Sequence, residues 1–447
     1  MATLFGSQFE ALAGNPFGSQ TVNPVFTTDG STDPSGNPLS GDTVSGDFNL
    51  EIFVGSWSNT PAIAGGYDGL AVLSPSGITI DLISGSYLVR DNGSGGSTIS
   101  ADGDNEEIIG VSGDTLNVNG SFDTVSAVGG GQTVTINGAL NTGSVLGDTV
   151  TINSAFNAIT DFGGSAITIV ADSNQLLFGA NDTIGVVGSF NDLDGQGAGG
   201  TNSINIDGDY NAVTNVSGVN SITVTGSHDT LSGSSASDTG TVTGDYDSVS
   251  TTGGSLTVDG DFDTVVGGNT VVAGGAHDVI TANTSINNVT ITANGDFDTV
   301  TVTNNPENVA VTANGSHDLI TAGAVQATNS LTASGDFDTI TGFTTPITAS
   351  GSNNSIHLFH NDLDITGGSN DTIYSDEGFG GSGFATTVSG FAQPAGDRIH
   401  LTAPDSVAFA LAHTAQTNGG ADTLITLNSG ATILLKGVTH IDSSFFV

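Results

Sequence analysis

The 447-residue chain contains no cysteine, one methionine, one tryptophan and only three basic residues, Arg90, Arg398 and Lys436. Without cysteine the chain can form neither a disulfide framework nor a thiolate metal site. No stretch approaches 18 apolar residues, so the sequence predicts no membrane-spanning helix. Because so few basic residues cannot neutralise phosphates, the composition excludes nucleic acid as a partner and disfavours an anionic membrane surface.

The residues that are abundant predict a β-rich, acidic protein. There are 66 glycines and 46 acidic residues, which give a net charge of −43. Helix formers are scarce, whereas Thr, Ser, Val, Ile and Asn are common, and this bias favours strands joined by tight turns. An oxygen-rich acidic surface suits Ca²⁺. The first residues, MATLFGSQFEALAG, lack a basic region followed by an apolar one, so we expect no cleaved N-terminal signal.

One short phrase recurs between residues 100 and 375. It consists of Gly, a small or acidic residue, a ring, Asp or Asn, often Thr, and an aliphatic residue, as in GSFDTV at 120–125 and GDFDTV at 260–265. Most steps are 15 to 20 residues, and one long step leaves room for a weak copy near Asn174. A fixed period near 18 predicts an all-β fold, a β-solenoid resembling a parallel β-helix. We expect two strands and two turns per coil, with the phrase at one turn and apolar residues alternating with outward Thr.

The repeat divides the chain into four parts. Residues 1–100 lack the clean phrase and are predicted to be an irregular β-rich region that caps the repeats or takes part in assembly. Residues 101–375 are the predicted solenoid, residues 376–395 a Gly-rich linker, and residues 396–447 a distinct C-terminal unit. The last coil of the solenoid shows no helical cap in its sequence, so we expect its strand edges to be unpaired.

Stacking of coils would place the phrase's Asp of one coil above that of the next. Two unit charges about 4.8 Å apart repel by roughly 1 kcal/mol in water and by about 3–4 kcal/mol at an effective dielectric constant of 20. Bound Ca²⁺ is the ion expected to offset that repulsion. The candidate metal ligands are Asp123, Asp229, Asp245, Asp247, Asp261, Asp263, Asp278, Asp296, Asp298, Asp318, Asp336, Asp338 and Asp371.

A second interpretation of the Asp column needs no metal. Asn replaces Asp at 141, 157, 191, 211 and 354, and both residue types hold turns through their side-chain oxygens. On this interpretation the column is a turn former whose carboxylates are solvated outside. The sequence leaves both interpretations in place.

The residue before the Asp is usually a planar ring. We expect these rings to stack at the corner, although a histidine column also suits Zn²⁺ or a pH switch. The Thr-rich strands, such as residues 299–303, are ordinary outward faces, with an ice-binding surface as the alternative. The ring positions are Phe122, Phe156, Phe190, Tyr210, Tyr246, Phe262, Phe297 and Phe337, together with His228, His277 and His317.

Residues 396–447 carry a resemblance to a known class. They contain the strand-like segments GDRIHL at 396–401, ADTLITL at 421–427 and GATILLKGV at 430–438, and they end in DSSFFV at 442–447. This package resembles the C-terminal region of bacterial type I secretion substrates of the RTX (repeats-in-toxin) class. The resemblance implies export by the type I machinery through an uncleaved C-terminal signal, followed by folding outside the cell where Ca²⁺ is abundant.

The sequence favours a non-enzymatic function. Acidic residues recur with the repeat instead of forming a unique pair, no Lys or Arg lies in the solenoid, and no nucleophile, zinc-protease or phosphate-loop motif is present. We expect an extracellular structural protein that self-assembles into a fibre or surface layer. The alternatives are a Ca²⁺-dependent surface adhesin, for which cell-surface polysaccharide is a partner, and, less favoured, a polysaccharide-active β-helix enzyme.

Overall fold

The computed structural model describes residues 95–447 apart from 197–198, 234–237, 283–287, 303–307, 325–329, 344–345, 359–361 and 376–384. Before residue 95 it describes the strands at 23–28, 43–44, 49–54, 62–73 and 79–91. The chain divides into two compact units, Met1–Val224 (unit 1) and Thr225–Val447 (unit 2). Both units are stacks of parallel coils of about 18 residues, about 14 turns in all. The predicted all-β solenoid is confirmed.

Each coil contributes one short strand to each of two parallel sheets. Thr115–Val118 and Thr124–Ala127 belong to one coil, and they pair with the strands two places further along the chain, Thr133–Ile136 and Thr142–Val145. The register places Thr on Thr and aliphatic on aliphatic, because every coil repeats the same alternation. Strands β1 to β20 are Asn23–Thr28, Thr43–Val44, Asn49–Val54, Ala62–Leu73, Thr79–Asp91, Thr98–Ala101, Glu107–Ile109, Thr115–Val118, Thr124–Ala127, Thr133–Ile136, Thr142–Val145, Thr149–Ile152, Ala158–Asp161, Ala166–Ile169, Gln175–Leu177, Thr183–Val187, Asp192–Asp194, Thr201–Asp207, Ala212–Val216 and Val219–Thr225.

Unit 2 repeats the arrangement and adds a different ending. Its one α-helix in the described residues, α1 (Val407–Ala412), lies outside the repeats. Single 3₁₀ turns lie at Gln393–Ala395, Asn418–Gly420 and Ser443–Phe445. Strands β21 to β42 are Thr230–Gly233, Thr239–Thr243, Ser248–Thr251, Ser255–Asp259, Thr264–Gly267, Thr270–Gly274, Val279–Ala282, Val289–Ala293, Thr299–Val302, Val309–Ala313, Leu319–Ala324, Ser330–Ala333, Thr339–Phe343, Ile347–Ala349, Ser355–Leu358, Asp362–Asp364, Thr372–Ser375, Ala385–Ser389, Arg398–Leu401, Thr414–Thr417, Asp422–Thr426 and Thr432–Leu435.

The core is a set of aliphatic columns between the two sheets. Every second residue of a strand is buried, and its neighbour on the strand faces outward, so the predicted alternation is confirmed. Full burial of an aliphatic side chain stabilises a fold by roughly 1.5–3 kcal/mol, and here the same contribution recurs coil after coil. One such column in unit 2, joined by strand register, is Val300, Ile320, Ile340, Ile356, Ile373 and Ile399.

The parallel pairing continues beyond residue 375, where the sequence predicted the repeats to end. Strand β38 pairs with β36, and β39 pairs with β37, so part of the predicted 376–395 linker and the start of the predicted C-terminal unit belong to the stack. The expected unpaired edge is also wrong. Strand β42 pairs with β38, strands β40 to β42 form an antiparallel sheet, and Phe446 bridges to Ile399 on β39. The C-terminal residues therefore cap the last coil.

The residues described before residue 95 form β-strands, and these strands also pair in parallel. Strand β1 pairs with β3, β3 with β4, β4 with β5, and β5 with both β6 and β7 of the first regular coils. Trp57, the single tryptophan, lies in the predicted cap but outside the described residues. Within the part of the chain that the structure describes, no helix is long and apolar enough to cross a membrane.

The glycine that opens each phrase is required because backbones touch there. A Cβ on Gly315 would lie 1.4 Å from the carbonyl oxygen of Gly295, and a Cβ on Gly335 would lie 1.4 Å from that of Gly315. No real Cβ can occupy that space without moving a whole coil. The glycine column therefore lets successive corners stack in direct backbone contact.

Replacing one of these glycines tests the constraint. Gly315→Ala should lower the free energy of unfolding by about 3 kcal/mol or more, because the methyl group must displace main chain in a packed stack. The matched control is Gly185→Ala on strand β16, where no atom lies within 4 Å of the added Cβ. The control should change stability by less than about 1 kcal/mol in urea denaturation followed by circular dichroism. Equal losses in both variants would contradict the steric account.

Candidate functional site

The phrase corner is held by hydrogen bonds that run between coils. The Asp263 N–H donates to Asp278 Oδ1 at 2.9 Å, and the Ala276 N–H donates to Asp261 Oδ1 at 2.8 Å. The N–H of Phe262 donates to the Ala276 carbonyl oxygen at 2.9 Å. Each turn amide thus finds its partner on a neighbouring coil, and the stack satisfies the backbone where sheet pairing stops.

The thirteen Asp residues predicted to bind metal fall into two rows on different sides of this corner. The residue after the ring points inward, and the residue before the ring points outward. The buried row consists of Asp123, Asp229, Asp247, Asp263, Asp278, Asp298, Asp318, Asp338 and Asp371. The exposed row consists of Asp245, Asp261, Asp296 and Asp336.

In unit 2 the buried row is a continuous ladder. Each side-chain Oδ1 accepts the backbone N–H of the corresponding residue in the preceding coil, at 2.8 to 3.1 Å. Turn formation is therefore a role that these residues have, but their carboxylates are buried and not solvated as that interpretation supposed. The ladder comprises Asp229, Asp247, Asp263, Asp278, Asp298, Asp318, Asp338, Asn354, Asp371 and Asp397.

The second oxygen of several ladder carboxyls has no hydrogen-bond partner. This holds for the buried Oδ2 atoms of Asp263, Asp278, Asp318 and Asp338 within the described residues. Burial, reinforced by neighbouring carboxylates, raises the pKa of Asp263, Asp278 and Asp318 to about 7. Burial likewise raises the pKa of Asp338 to about 6. These carboxyls hold protons at pH values where an exposed Asp is ionised.

Unit 1 fills the same column mainly with Asn. The ladder hydrogen bonds persist, for instance from the Asn157 N–H to Asn174 Oδ1 at 2.9 Å, so the weak copy predicted near Asn174 is confirmed. The amide also donates within its own turn, as Asn157 Nδ2 does to the Ser154 carbonyl oxygen at 2.7 Å. Asn157 therefore uses both ends of its side chain, whereas Asp263 and Asp278 each leave one buried oxygen without a partner.

A second polar column, at the opposite corner of the coil, was missed at the sequence level. Asp148 Oδ1 accepts the Gln132 N–H at 2.8 Å, and Asp182 Oδ1 accepts the Ser165 N–H at 2.9 Å. In unit 1 the same hydrogen bond, from a turn N–H to a side-chain oxygen of the next coil, therefore forms at both corners. The repeating unit there is a half coil of about nine residues. The signal was present in the Gly-Asp-Thr triplets at 113–115 and 147–149, which lack the ring.

The ring residues adopt left-handed backbone conformation, with φ of 66° at Phe262, 68° at His277 and 67° at Phe297. That conformation costs a non-glycine residue about 1–2 kcal/mol. The rings are exposed and stacked, with centroids 4.6 Å apart for Phe262 and His277 and 5.0 Å apart for His277 and Phe297. The expected stacking is confirmed, and stacking with a neighbour on each side offsets part of the backbone cost.

The search for a metal site and the comparisons with known proteins do not identify a function. Among the described residues, no group of three or more His, Cys, Asp and Glu side chains is placed to hold a metal ion. No protein family, curated protein or solved structure matches the chain. The functional conclusion therefore depends on the corners and on the surface they present.

The buried carboxyls predict that acid stabilises the fold. Asp278 has a folded pKa of about 7 against about 3.9 for an unfolded chain, so the folded state binds more protons between those values. Stability should therefore fall as pH rises through this window and level off above it. Asp278→Asn should raise the free energy of unfolding by about 1–3 kcal/mol more at pH 8 than at pH 5.

The chain supplies the reverse experiment as a control. Asn157→Asp places a carboxyl in the same ladder of unit 1, and it should lower stability at pH 8 much more than at pH 5. Urea denaturation of both variants at the two pH values measures the effect. A pH-independent change in either variant would show that the corner does not titrate as described.

Proposed function

We propose that this is a secreted, extracellular structural protein that self-assembles into a fibre or surface layer with the help of Ca²⁺. The observation that carries the proposal is that the surface repeats coil by coil, with the same exposed ring and acidic positions along unit 2. A repeated surface suits association with many equivalent copies. A catalytic site needs a unique constellation, and the acidic residues here recur with the coil, which supports a non-enzymatic function.

Ca²⁺ fits the exposed row better than the buried one. In the exposed row, Asp245 and Asp261 lie on successive coils, where the Asp261 N–H donates to Asp245 Oδ1 at 3.0 Å. Two carboxylates supply at most about four oxygens, fewer than the six to eight that Ca²⁺ takes. The remaining ligands would come from water or from a second copy of the chain. Ca²⁺ bound there would reduce the repulsion between copies that each carry a net charge of −43.

The capped C-terminal end bears on how copies would join. Strand β38 is paired with β36 and β42, and Phe446 bridges to Ile399 on β39, so less strand edge is left open here than the sequence predicted. Among the described strands, the outermost at this end is β40, which is four residues long and pairs with β41. Contacts along the sides of the coils, in which Ca²⁺ bridges carboxylates, are therefore favoured over stacking of the regular coils end to end.

Export by a type I secretion system is part of the proposal. It is supported by the resemblance of residues 396–447 to the RTX class. In the folded protein Ile441 and Phe446 are buried, and Phe445 stacks on Phe391 with centroids 5.8 Å apart. The C-terminal residues would be accessible to a transporter before folding and would cap the last coil after it.

An adhesin remains the second candidate function. The exposed ladder of rings in unit 2 favours it, since aromatic groups at a surface are enriched where proteins bind partners. On this proposal the protein would act as a monomer at the cell surface, with cell-surface polysaccharide as a partner.

Electron microscopy and light scattering distinguish the two functions. With millimolar Ca²⁺ the purified protein should form filaments or sheets, whereas with chelator or with NaCl of equal ionic strength it should stay monomeric. The fourfold variant Asp245→Asn, Asp261→Asn, Asp296→Asn and Asp336→Asn should remain folded and lose the Ca²⁺ response. A wild-type protein that stays monomeric in Ca²⁺ at high concentration would exclude the structural function and leave the adhesin.

Deletion of residues 441–447 tests the export route. The truncated chain should stay inside the cell, because the C-terminal signal is missing. The matched control is Phe446→Ala, which weakens the cap by about 3 kcal/mol but keeps the segment, and it should still be exported. Normal secretion of the truncated chain, measured in culture supernatant, would contradict the assignment.

A further inference from the structure

The exposed rings of unit 2 form a continuous ridge along the phrase corner. Seven rings on successive coils stack with centroid separations of 4.6 to 5.1 Å and interplanar angles of 4° to 22°. The ring ridge consists of His228, Tyr246, Phe262, His277, Phe297, His317 and Phe337.

The stacking determines which part of each ring meets solvent. Ring faces are covered by the rings above and below, so the ridge presents ring rims. Even so, Tyr246 and Phe337 remain 53% exposed. The ridge is a track about one ring wide whose Phe rims are apolar, and such a track suits a narrow aliphatic chain better than a flat ring that needs an aromatic face.

Carboxylates follow the track in a regular relation to the rings. In unit 2 each Tyr or Phe of the ridge is preceded by an exposed Asp, and each His is preceded by Ser or Ala. Asp261 and Asp296 therefore lie one coil on either side of His277. Successive acidic groups along the ridge are one or two coils apart, about 5 or 10 Å.

The chain provides no permanent cation for these carboxylates. Between Arg90 and Arg398 there is no Lys or Arg. The guanidinium of Arg398 donates to the carbonyl oxygens of Asp397 and Gln393 at 2.7 and 3.1 Å. His228, His277 and His317 are the basic groups of the ridge.

We propose that the ring ridge binds linear aliphatic polyamines, with methylene groups along the ring rims and ammonium groups at the exposed Asp carboxylates. A linear amine chain matches both features of the track, because charge alternates in it with apolar stretches. The inference does not depend on self-assembly or on export.

Calorimetry on the full-length protein, without Ca²⁺ and at a concentration where it is monomeric, tests the proposal. Spermidine is the probe, and hexaamminecobalt(III) is a compact cation of the same charge. Spermidine should bind about fivefold or more tightly than the compact cation at pH 8, because only the chain buries methylenes on the rims. If the two cations bind equally tightly, spermidine is attracted by net charge alone, and the proposal is overturned.

Variants locate the site. Asp261→Asn with Asp296→Asn should weaken spermidine binding by about fivefold to tenfold while keeping the hydrogen-bond acceptors of the corner. Phe297→Asn should weaken it by about threefold, and Asn suits the left-handed conformation, as Asn353 shows with φ of 65°. The matched control, Asp192→Asn with Asp207→Asn, removes two exposed charges of unit 1 and should change affinity less than twofold.

The unit 1 control decides the outcome. If the unit 1 pair weakens spermidine binding as much as the ridge pair does, the ridge is not the site and the proposal fails. Circular dichroism confirms that every variant is folded before binding is compared.

Discussion

The structure depends on one hydrogen bond that is repeated in every coil, from a turn amide to the side-chain oxygen of an Asp or Asn in the next coil. Where a strand ends, the sheet no longer pairs the backbone, and a buried amide without a partner would destabilise each turn. A short side chain with an acceptor two bonds beyond Cβ reaches that amide at 2.7 to 3.1 Å. The register of both sheets, the glycine stack and the ring ladder follow from keeping this contact aligned.

Asp and Asn satisfy the same amide but have different consequences for the protein. Asn adds a donor that bonds within its own turn, as at Asn211, whose Nδ2 donates to the Gly208 carbonyl oxygen at 2.8 Å. Asp brings a second oxygen without a proton, and burial penalises its charge. Unit 1 uses mainly Asn at the phrase corner, and unit 2 uses mainly Asp. The acid-dependent stability of the phrase corner is therefore concentrated in unit 2. The cause is a difference of one heavy atom per side chain, an oxygen in Asp where Asn has a nitrogen.

The fold could be predicted from the sequence because the same phrase and the same alternation of aliphatic residues with Thr recur in every coil. Val289–Ala293 and Thr299–Val302 lie where the alternation of Val and Thr predicted strands. Burial of the Asp side chains could not be predicted, since acidic residues are ordinarily exposed and only stacking creates an amide for them to meet. The second corner was missed because Gly, not a ring, holds the left-handed position there. The cap was missed because β42 pairs with β38 across a separation of 47 residues, as between Thr386 and Ile433, and no local pattern indicates so distant a pairing.

The equal spacing of the middle coils has a consequence for how such a protein can change size. Asp278, Asp298, Asp318 and Asp338 follow one another at intervals of 20 residues, and each accepts the same amide from its predecessor. Removing or duplicating one interval would bring identical partners together at the new junction. Gene duplication or unequal recombination could therefore lengthen or shorten unit 2 in whole coils without new packing solutions, while the C-terminal cap continues to terminate it.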